Sequence, residues 1–328
     1  MQSIYYDRAT DPAHAVRLAQ QPGAKFIGGG TNLLDLIKAD VEHPVRLIDI
    51  TRIGLDQITE LADGGVRIGA LARNSDTANH RLIRERYPLL SQALLSGASP
   101  QLRNMATIGG NLMQRTRCPY FTDTAFDMCN KRKPGSGCGA REGYSRVHAI
   151  LGASNACIAV NPSDMNVALA ALDASVVIAT PRGDRVIAAT DFHRLPGNKP
   201  EVDTMLLPGE MIVGVDLPAS PFALHAHYLK IRDRASYAFA LVSVAAALDM
   251  EGGMVRKARI ALGGVAHKPW RLAAAETLLQ GKNLTDDHRI AAAKALTAGA
   301  RAFKDNKFKI ELVQRAIVRA LRTAEGVA

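Results

Sequence analysis

An α+β fold in two or three domains is what this sequence predicts, and three observations carry that reading. Apolar strand-like stretches run into glycine turns that open helix-like segments. Tight turns separate short runs of strand character. The chain closes on a stretch with apolar residues at helical spacing. At 328 residues, with 47% apolar and 22% charged, it can bury substantial cores and shows no signature of disorder.

The first strand–turn–helix unit spans Lys25 to Leu34. Phe26 and Ile27 lead as a strand into Gly28, Gly29 and Gly30, and Thr31 or Asn32 can cap a helix carrying Leu33, Leu34, Leu36 and Ile37. Glycines let backbone amides approach an anion, and a helix N-terminus adds partial positive charge, so a pyrophosphate fits such a turn. Leu33 stands where a Rossmann fingerprint has its third glycine, and no lysine follows as in a P-loop. A tight structural turn is therefore the competing reading. Next, Asp63-Gly64-Gly65 reads as a turn ahead of a strand carrying Val66, Ile68 and Ala70. The segment Ile108-Gly109-Gly110-Asn111-Leu112 then repeats the chemistry of Ile27 to Leu33, and two such turns suit the two phosphates of one dinucleotide.

All four cysteines, Cys118, Cys129, Cys138 and Cys157, fall within one forty-residue window. That window is loop-like, broken by Pro119, Pro134, Gly135, Gly137, Gly139 and Gly143. Two disulfides would suit a small secreted domain with little core, and unrelated buried thiols are the plain alternative. Clustering favours a shared metal centre. The gaps of ten, eight and eighteen residues contain no short pair, which disfavours zinc without excluding it; an iron–sulfur cubane accepts ligands from wider positions. Arg115, Arg117, Lys131, Arg132 and Lys133 beside these ligands either offset the charge of a thiolate-bound cluster or form an ordinary solvated basic loop.

Asn161-Pro162-Ser163-Asp164 precedes an alanine-rich segment of helical character. Asp164 can accept hydrogen bonds from a ribose or a base edge, while Ser163 and Asp164 are equally good helix caps. Val176 to Thr180, the turn Pro181-Arg-Gly-Asp184 and Val186 to Ala188 suggest a hairpin. From about residue 222 a second hairpin follows, with Leu241 to Leu248 and Val255 to Leu262 around Gly252-Gly253. Helix starts are expected at Pro269 and near Thr285, and an amphipathic helix over Phe308 to Leu321.

The net charge of +10 raises the question of nucleic acid. The basic residues are scattered, aromatics make up only 5%, and no known recognition module is present, so anionic cofactors and an acidic face on another subunit fit better. No apolar run approaches the ~20 residues of a membrane span, and Met1 to Pro12 lacks a hydrophobic signal core. Three residues tempt a catalytic reading. Trp270 at an expected helix start suits packing, His267 has no partner acid or nucleophile that the sequence identifies, and Tyr237 suits a core position as well as a site.

Together Lys25 to Leu33, the stretch Ala98 to Leu112 with Gln101, Leu102, Arg103, Asn104 and Thr107, the Asn-Pro-Ser-Asp segment and Lys230-Ile-Arg-Asp-Arg-Ala-Ser-Tyr237 resemble the flavin-binding subunits of the xanthine dehydrogenase and molybdenum hydroxylase family over nearly the whole chain. Most members lack the cysteine loop. Gln114-Arg-Thr-Arg-Cys-Pro-Tyr-Phe121, Cys129-Asn-Lys-Arg and Pro134-Gly-Ser-Gly-Cys138 resemble the inserted loop of bacterial periplasmic aldehyde oxidoreductases, and 4-hydroxybenzoyl-CoA reductase carries a comparable insertion.

The resemblance implies an FAD-binding domain of two α/β subdomains over residues 1–220, a cluster-binding loop at about 114–160, and a small α+β C-terminal domain over 222–328. It implies FAD held by Lys25, Phe26, Ile27, Gly28, Gly29, Gly30, Thr31 and Asn32 in one phosphate loop and by Thr107 and Gly110 in the second. Asp164 then faces the adenosine half, Ile212 and Lys230 lie near the flavin, and Cys118, Cys129, Cys138 and Cys157 bind a 4Fe-4S cluster. The implied partners are a 2Fe-2S subunit, a molybdenum-pterin subunit that oxidises an aldehyde, and an external electron acceptor. No residue of this chain is assigned to aldehyde chemistry. The resemblance also implies export to the periplasm bound to a signal-bearing partner, with a cytoplasmic protein as the alternative. A zinc-stabilised nucleotide-binding module without a redox role and a standalone flavin oxidase remain the competing functions.

Overall fold

Three sheets organise residues 3–326, the part of the chain that the computed structural model describes. The first is parallel: β1 (Tyr5–Arg8), β2 (Ala24–Ile27) and β3 (Arg46–Asp49), in the order β1-β3-β2. Parallel neighbours need crossovers. Helix Pro12–Leu18 supplies the first, its start fixed by Asp11, whose carboxylate accepts the His14 backbone N–H at 2.7 Å. Helix Leu33–Lys38 supplies the second. The glycine turn therefore leaves the carboxyl end of a parallel strand, where ligands of α/β sheets bind.

The second sheet is antiparallel. It comprises β4 (Ile58–Glu60), β5 (Val66–Gly69), β6 (Ser175–Thr180), β7 (Gly183–Ala188) and β8 (Met211–Leu217), in the order β4-β5-β8-β6-β7. Both turns read from the sequence close hairpins here, β4–β5 and β6–β7. One apolar core joins β5, β6 and β8 to helices Pro88–Ser96 and Asp164–Ala171. All eight residues of the latter are buried, so it has no polar face to show a helical period.

The third sheet has β9 (Ala226–Ile231), β10 (Val242–Glu251) and β11 (Met254–Gly263) in the order β11-β10-β9. Strand β10 is buried on both faces. Val242, Val244, Ala246 and Leu248 pack in the core of the C-terminal helices, whereas Ala245 and Ala247 join the core of the second sheet. Helices Asp286–Leu296 and Phe308–Glu325 close the chain; Thr285 caps the first, and Gly326 ends the second with φ +90°. The expected helix start at Pro269 is corrected. Trp270 exchanges two backbone hydrogen bonds with Leu262, at 2.8 and 2.9 Å, and its indole donates to the Leu296 carbonyl at 3.0 Å, so the helix begins at Ala273. Among the described residues no helix is long and apolar enough to cross a membrane.

Candidate functional site

The first glycine turn packs directly on the second. A Cβ on Gly29 would overlap the Met105 carbonyl oxygen and lie 2.7 Å from its carbonyl carbon, and one on Gly28 would lie 3.3 Å from Thr107 Oγ1. Gly30 has φ +73°, a conformation few other residues adopt. Thr107 caps the short helix Ile108–Leu112, its hydroxyl accepting the Gly110 N–H at 3.2 Å. Asn111 Oδ1 then accepts the Ser163 hydroxyl at 2.8 Å, which ties the third motif to the second.

Ser163 is the N-cap of helix Asp164–Ala171, accepting the Asn166 N–H at 3.1 Å, which leaves the Asp164 carboxylate for other work. Tyr228 donates to one of its oxygens at 2.7 Å and Lys230 to the other at 2.7 Å. These side chains come from the third sheet, and Lys230 and Asp164 are only 4% and 7% exposed. Burial and the adjacent Asp164 charge hold the Tyr228 phenol protonated far above its ordinary range. Lys230 also donates to the Ser96 carbonyl at 3.0 Å, so it is a buried ion-pair partner rather than an exposed strand lysine.

These elements enclose a cavity of about 640 Å³, lined by Thr31, Asn32, Gly110, Asn111, Asp164 and Lys230 among others. Lys25 to Gly30 shape it from behind without lining it: Lys25 pairs with Glu42 at 3.5 Å, and Phe26 packs in the core of the first sheet. Ile212 stands apart. It pairs with Ile178 inside the second sheet and packs in that core, so the sequence motif brings it to no wall of the cavity. Asn32 occupies the cap position of helix Leu33–Lys38 but makes no cap bond. Its Oδ1 accepts the Arg115 N–H at 3.1 Å, and its Nδ2 is buried without a partner.

Arg117 is the residue that sequence reasoning undervalued. It lines the cavity, its guanidinium lies over the Phe239 ring at 5.3 Å, and its buried Nε has no partner. Burial pulls its pKa below the ordinary value, with only the charges of Asp35 and Tyr237 opposing. Arg117 Nε and Asn32 Nδ2 are therefore buried, unused donors on two residues that line the cavity, an arrangement that suits an anionic ligand. The signal in the sequence was its place five residues beyond the glycine-turn segment Ile108 to Leu112, obscured by the neighbouring Arg115. Tyr237 also lines the cavity, 58% exposed and at φ +52°, so it is no core tyrosine. His267 is buried with neither ring nitrogen bonded.

Cys118 and His148 form part of the same wall, and the other three cysteines lie behind them. The window is irregular except for the four-residue helices Pro119–Thr122 and Gly139–Glu142 and a backbone bridge between Cys129 and Cys138. All four thiols are free and share one apolar pocket with Leu36, Phe121 and Ile158. The Cys138 and Cys157 thiols interact as a buried pair, which pulls Cys138 below the ordinary thiol range and pushes Cys157 above it. Burial pushes Cys118 up to about 12. Among the described residues no three His, Cys, Asp or Glu are arranged as ligands of one metal ion.

The basic residues of the loop divide by role. Arg115 pairs with Glu42 at 2.6 Å and Asp203 at 2.8 Å and lies over Phe121, pinning the loop to the body. Arg132 donates to the carbonyls of Phe121 and Asp123, and Lys133 is exposed. Lys131 is 4% exposed, pairs with Asp203, and its charge favours the thiolate of Cys157.

Residues 2–220 match the family described as FAD binding domain in molybdopterin dehydrogenase, and residues 227–324 match the CO dehydrogenase flavoprotein C-terminal domain. The chain is 53% identical to the aldehyde oxidoreductase FAD-binding subunit PaoB of Escherichia coli (strain K12), covering 100% of both chains. It is 28% identical to the glyceraldehyde dehydrogenase medium chain of Sulfolobus acidocaldarius, covering 86% of this chain and 83% of that one. Among solved structures, a chain of carbon monoxide dehydrogenase from Hydrogenophaga pseudoflava superposes with a TM-score of 0.77 at 28% identity, covering 100% of this chain and 99% of that one.

Proposed function

Because this chain belongs to the family of FAD-binding domains in molybdopterin dehydrogenases, we propose that it carries electrons from a 2Fe-2S subunit through FAD to an external acceptor, within an assembly whose molybdenum-pterin subunit oxidises an aldehyde. The observation that carries this reading is the cavity that gathers three separate sequence motifs around unpaired buried donors. Asn32 and Arg117 hold the pyrophosphate, the second turn lets it approach the backbone at Gly110, and Asp164 receives a hydrogen bond from the adenosine half. When bound, FAD accepts and releases electrons singly or in pairs, and the protein supplies position and electrostatics. No nucleophile or general base of this chain is needed for that role.

The four thiols hold a 4Fe-4S cluster in this reading. Four unbridged cysteines in one apolar pocket, with the buried Lys131 beside them, support it. Purification without air followed by assays for iron and acid-labile sulfide, with a visible spectrum, tests both cofactors. A colourless protein holding one zinc would instead establish a zinc-stabilised module. Stopped-flow mixing of the reduced assembly with NAD, oxygen and ferredoxin ranks the acceptors. Export bound to a signal-bearing partner is part of the proposal, and fractionating cells with and without that partner's leader tests it.

A further inference from the structure

We propose that His148 is a positioning residue that raises the reduction potential of the centre bound by Cys118, through an N–H···S hydrogen bond from its Nε2. The inference rests on the reading that the four thiols hold an iron–sulfur cluster. His148 Nε2 lies 3.1 Å from Cys118 Sγ, and the ring is 1% exposed. A metal-bound thiolate carries no hydrogen and can only accept, so this contact requires the proton on Nε2. Nδ1 is buried without a partner, as a bare nitrogen.

The backbone that carries the ring is held in place from behind. Asn306 donates to the carbonyls of His148 and Ala149, each at 3.2 Å, and Lys309 donates to the carbonyls of His148 at 2.8 Å and Gly264 at 2.5 Å. Lys309 is completely buried and meets carbonyls rather than an acid, which is costly unless those bonds are kept. The C-terminal helix Phe308–Glu325 thereby aims His148 at Cys118. A donor to a ligand sulfur stabilises the more negative, reduced cluster, and such outer hydrogen bonds are a recognised determinant of cluster potential. Cys118 is also the one cysteine that lines the cavity, so the bond acts at the side facing the nucleotide.

The test is a redox titration of the purified assembly, monitored by electron paramagnetic resonance. His148→Leu should shift the cluster's reduction equilibrium about tenfold toward the oxidised state, about 59 mV for one electron, with iron content unchanged. His148→Gln, which keeps an N–H donor, should recover most of the shift. A wild-type potential in His148→Leu, or equal shifts in both variants, would overturn the proposal. Should the leucine variant lose its iron, pulsed resonance of the reduced wild-type cluster decides: a weak histidine nitrogen coupling supports the bond, and its absence refutes it. Wild-type protein without iron or sulfide overturns the underlying reading as well, and metal analysis separates that result before any variant is made.

Discussion

Gly29→Ala isolates the contact on which the nucleotide site is built. The added methyl meets backbone, the Met105 carbonyl, and its third neighbour, Ala106 Cα, lies 3.3 Å away, so no side chain can swing aside. Gly29 does not have a positive φ, so the penalty is purely steric. Overpacking against side chains costs about 1–3 kcal/mol, and a rigid backbone neighbour places this case near about 3 kcal/mol. For 328 residues the unfolding entropy is roughly 0.7 kcal/mol per degree, so Tm should fall by about 4 °C. If the strain is relieved by parting the two turns, FAD binding falls by about a hundredfold, since 1.4 kcal/mol is a factor of ten. Fluorescence titration of FAD into the apoprotein measures this. Gly54→Ala is the control: at φ +75° with nothing within 4 Å, it should cost about 1–2 kcal/mol of backbone strain and leave FAD affinity alone. Wild-type affinity in Gly29→Ala, or equal loss in both variants, would refute the packed-turn account.

Lys230→Met strands the buried Asp164 carboxylate with Tyr228 alone and should cost about 3–5 kcal/mol in urea unfolding. Adding Asp164→Asn should restore part of it, and a neutral single variant would mean that the pair is solvated. Arg117→Met should leave the apoprotein as stable as before, because an unpaired desolvated cation is removed, yet weaken FAD by about tenfold to a hundredfold; unchanged affinity would exclude Arg117 from the site. His193 is buried and its pKa is lowered from 6.5 to about 4 by burial, the Leu112 carbonyl opposing only in part. Below pH 6.5 the unfolded chain binds a proton that the folded chain refuses, so stability is full above pH 6.5 and falls by about 3 kcal/mol on the way to pH 4. Unfolding across that range should show a shallower slope in His193→Gln, and an equal slope would remove His193 as the cause.

Glycine turns, caps and hairpins were legible because their physics is local. A turn such as Gly64-Gly65, a cap such as Ser163, and the helical spacing after Phe308 are constraints on a residue and its near neighbours, written in residue type. The Pro269 expectation failed where a local signal met a distant partner: proline permits a helix start, but the Trp270 backbone pairs with Leu262. Helix Asp164–Ala171 and strand β10 were read from an alanine-rich composition and from the Gly252-Gly253 turn, because burial on every side erases the polar face that periodicity needs.

By itself, then, the amino-acid order determined which segments could meet an anion and which thiols were grouped. Tertiary packing decided which of them face one another. Asn32 meets Arg115 and Asp164 meets Lys230 across long separations, Arg117 is left without an acid while Arg115 takes two, and Ile212 is drawn into a sheet core. The reason is physical: whether a buried polar group is already satisfied depends on every element around it, and an unspent donor exists only once all its neighbours have been placed.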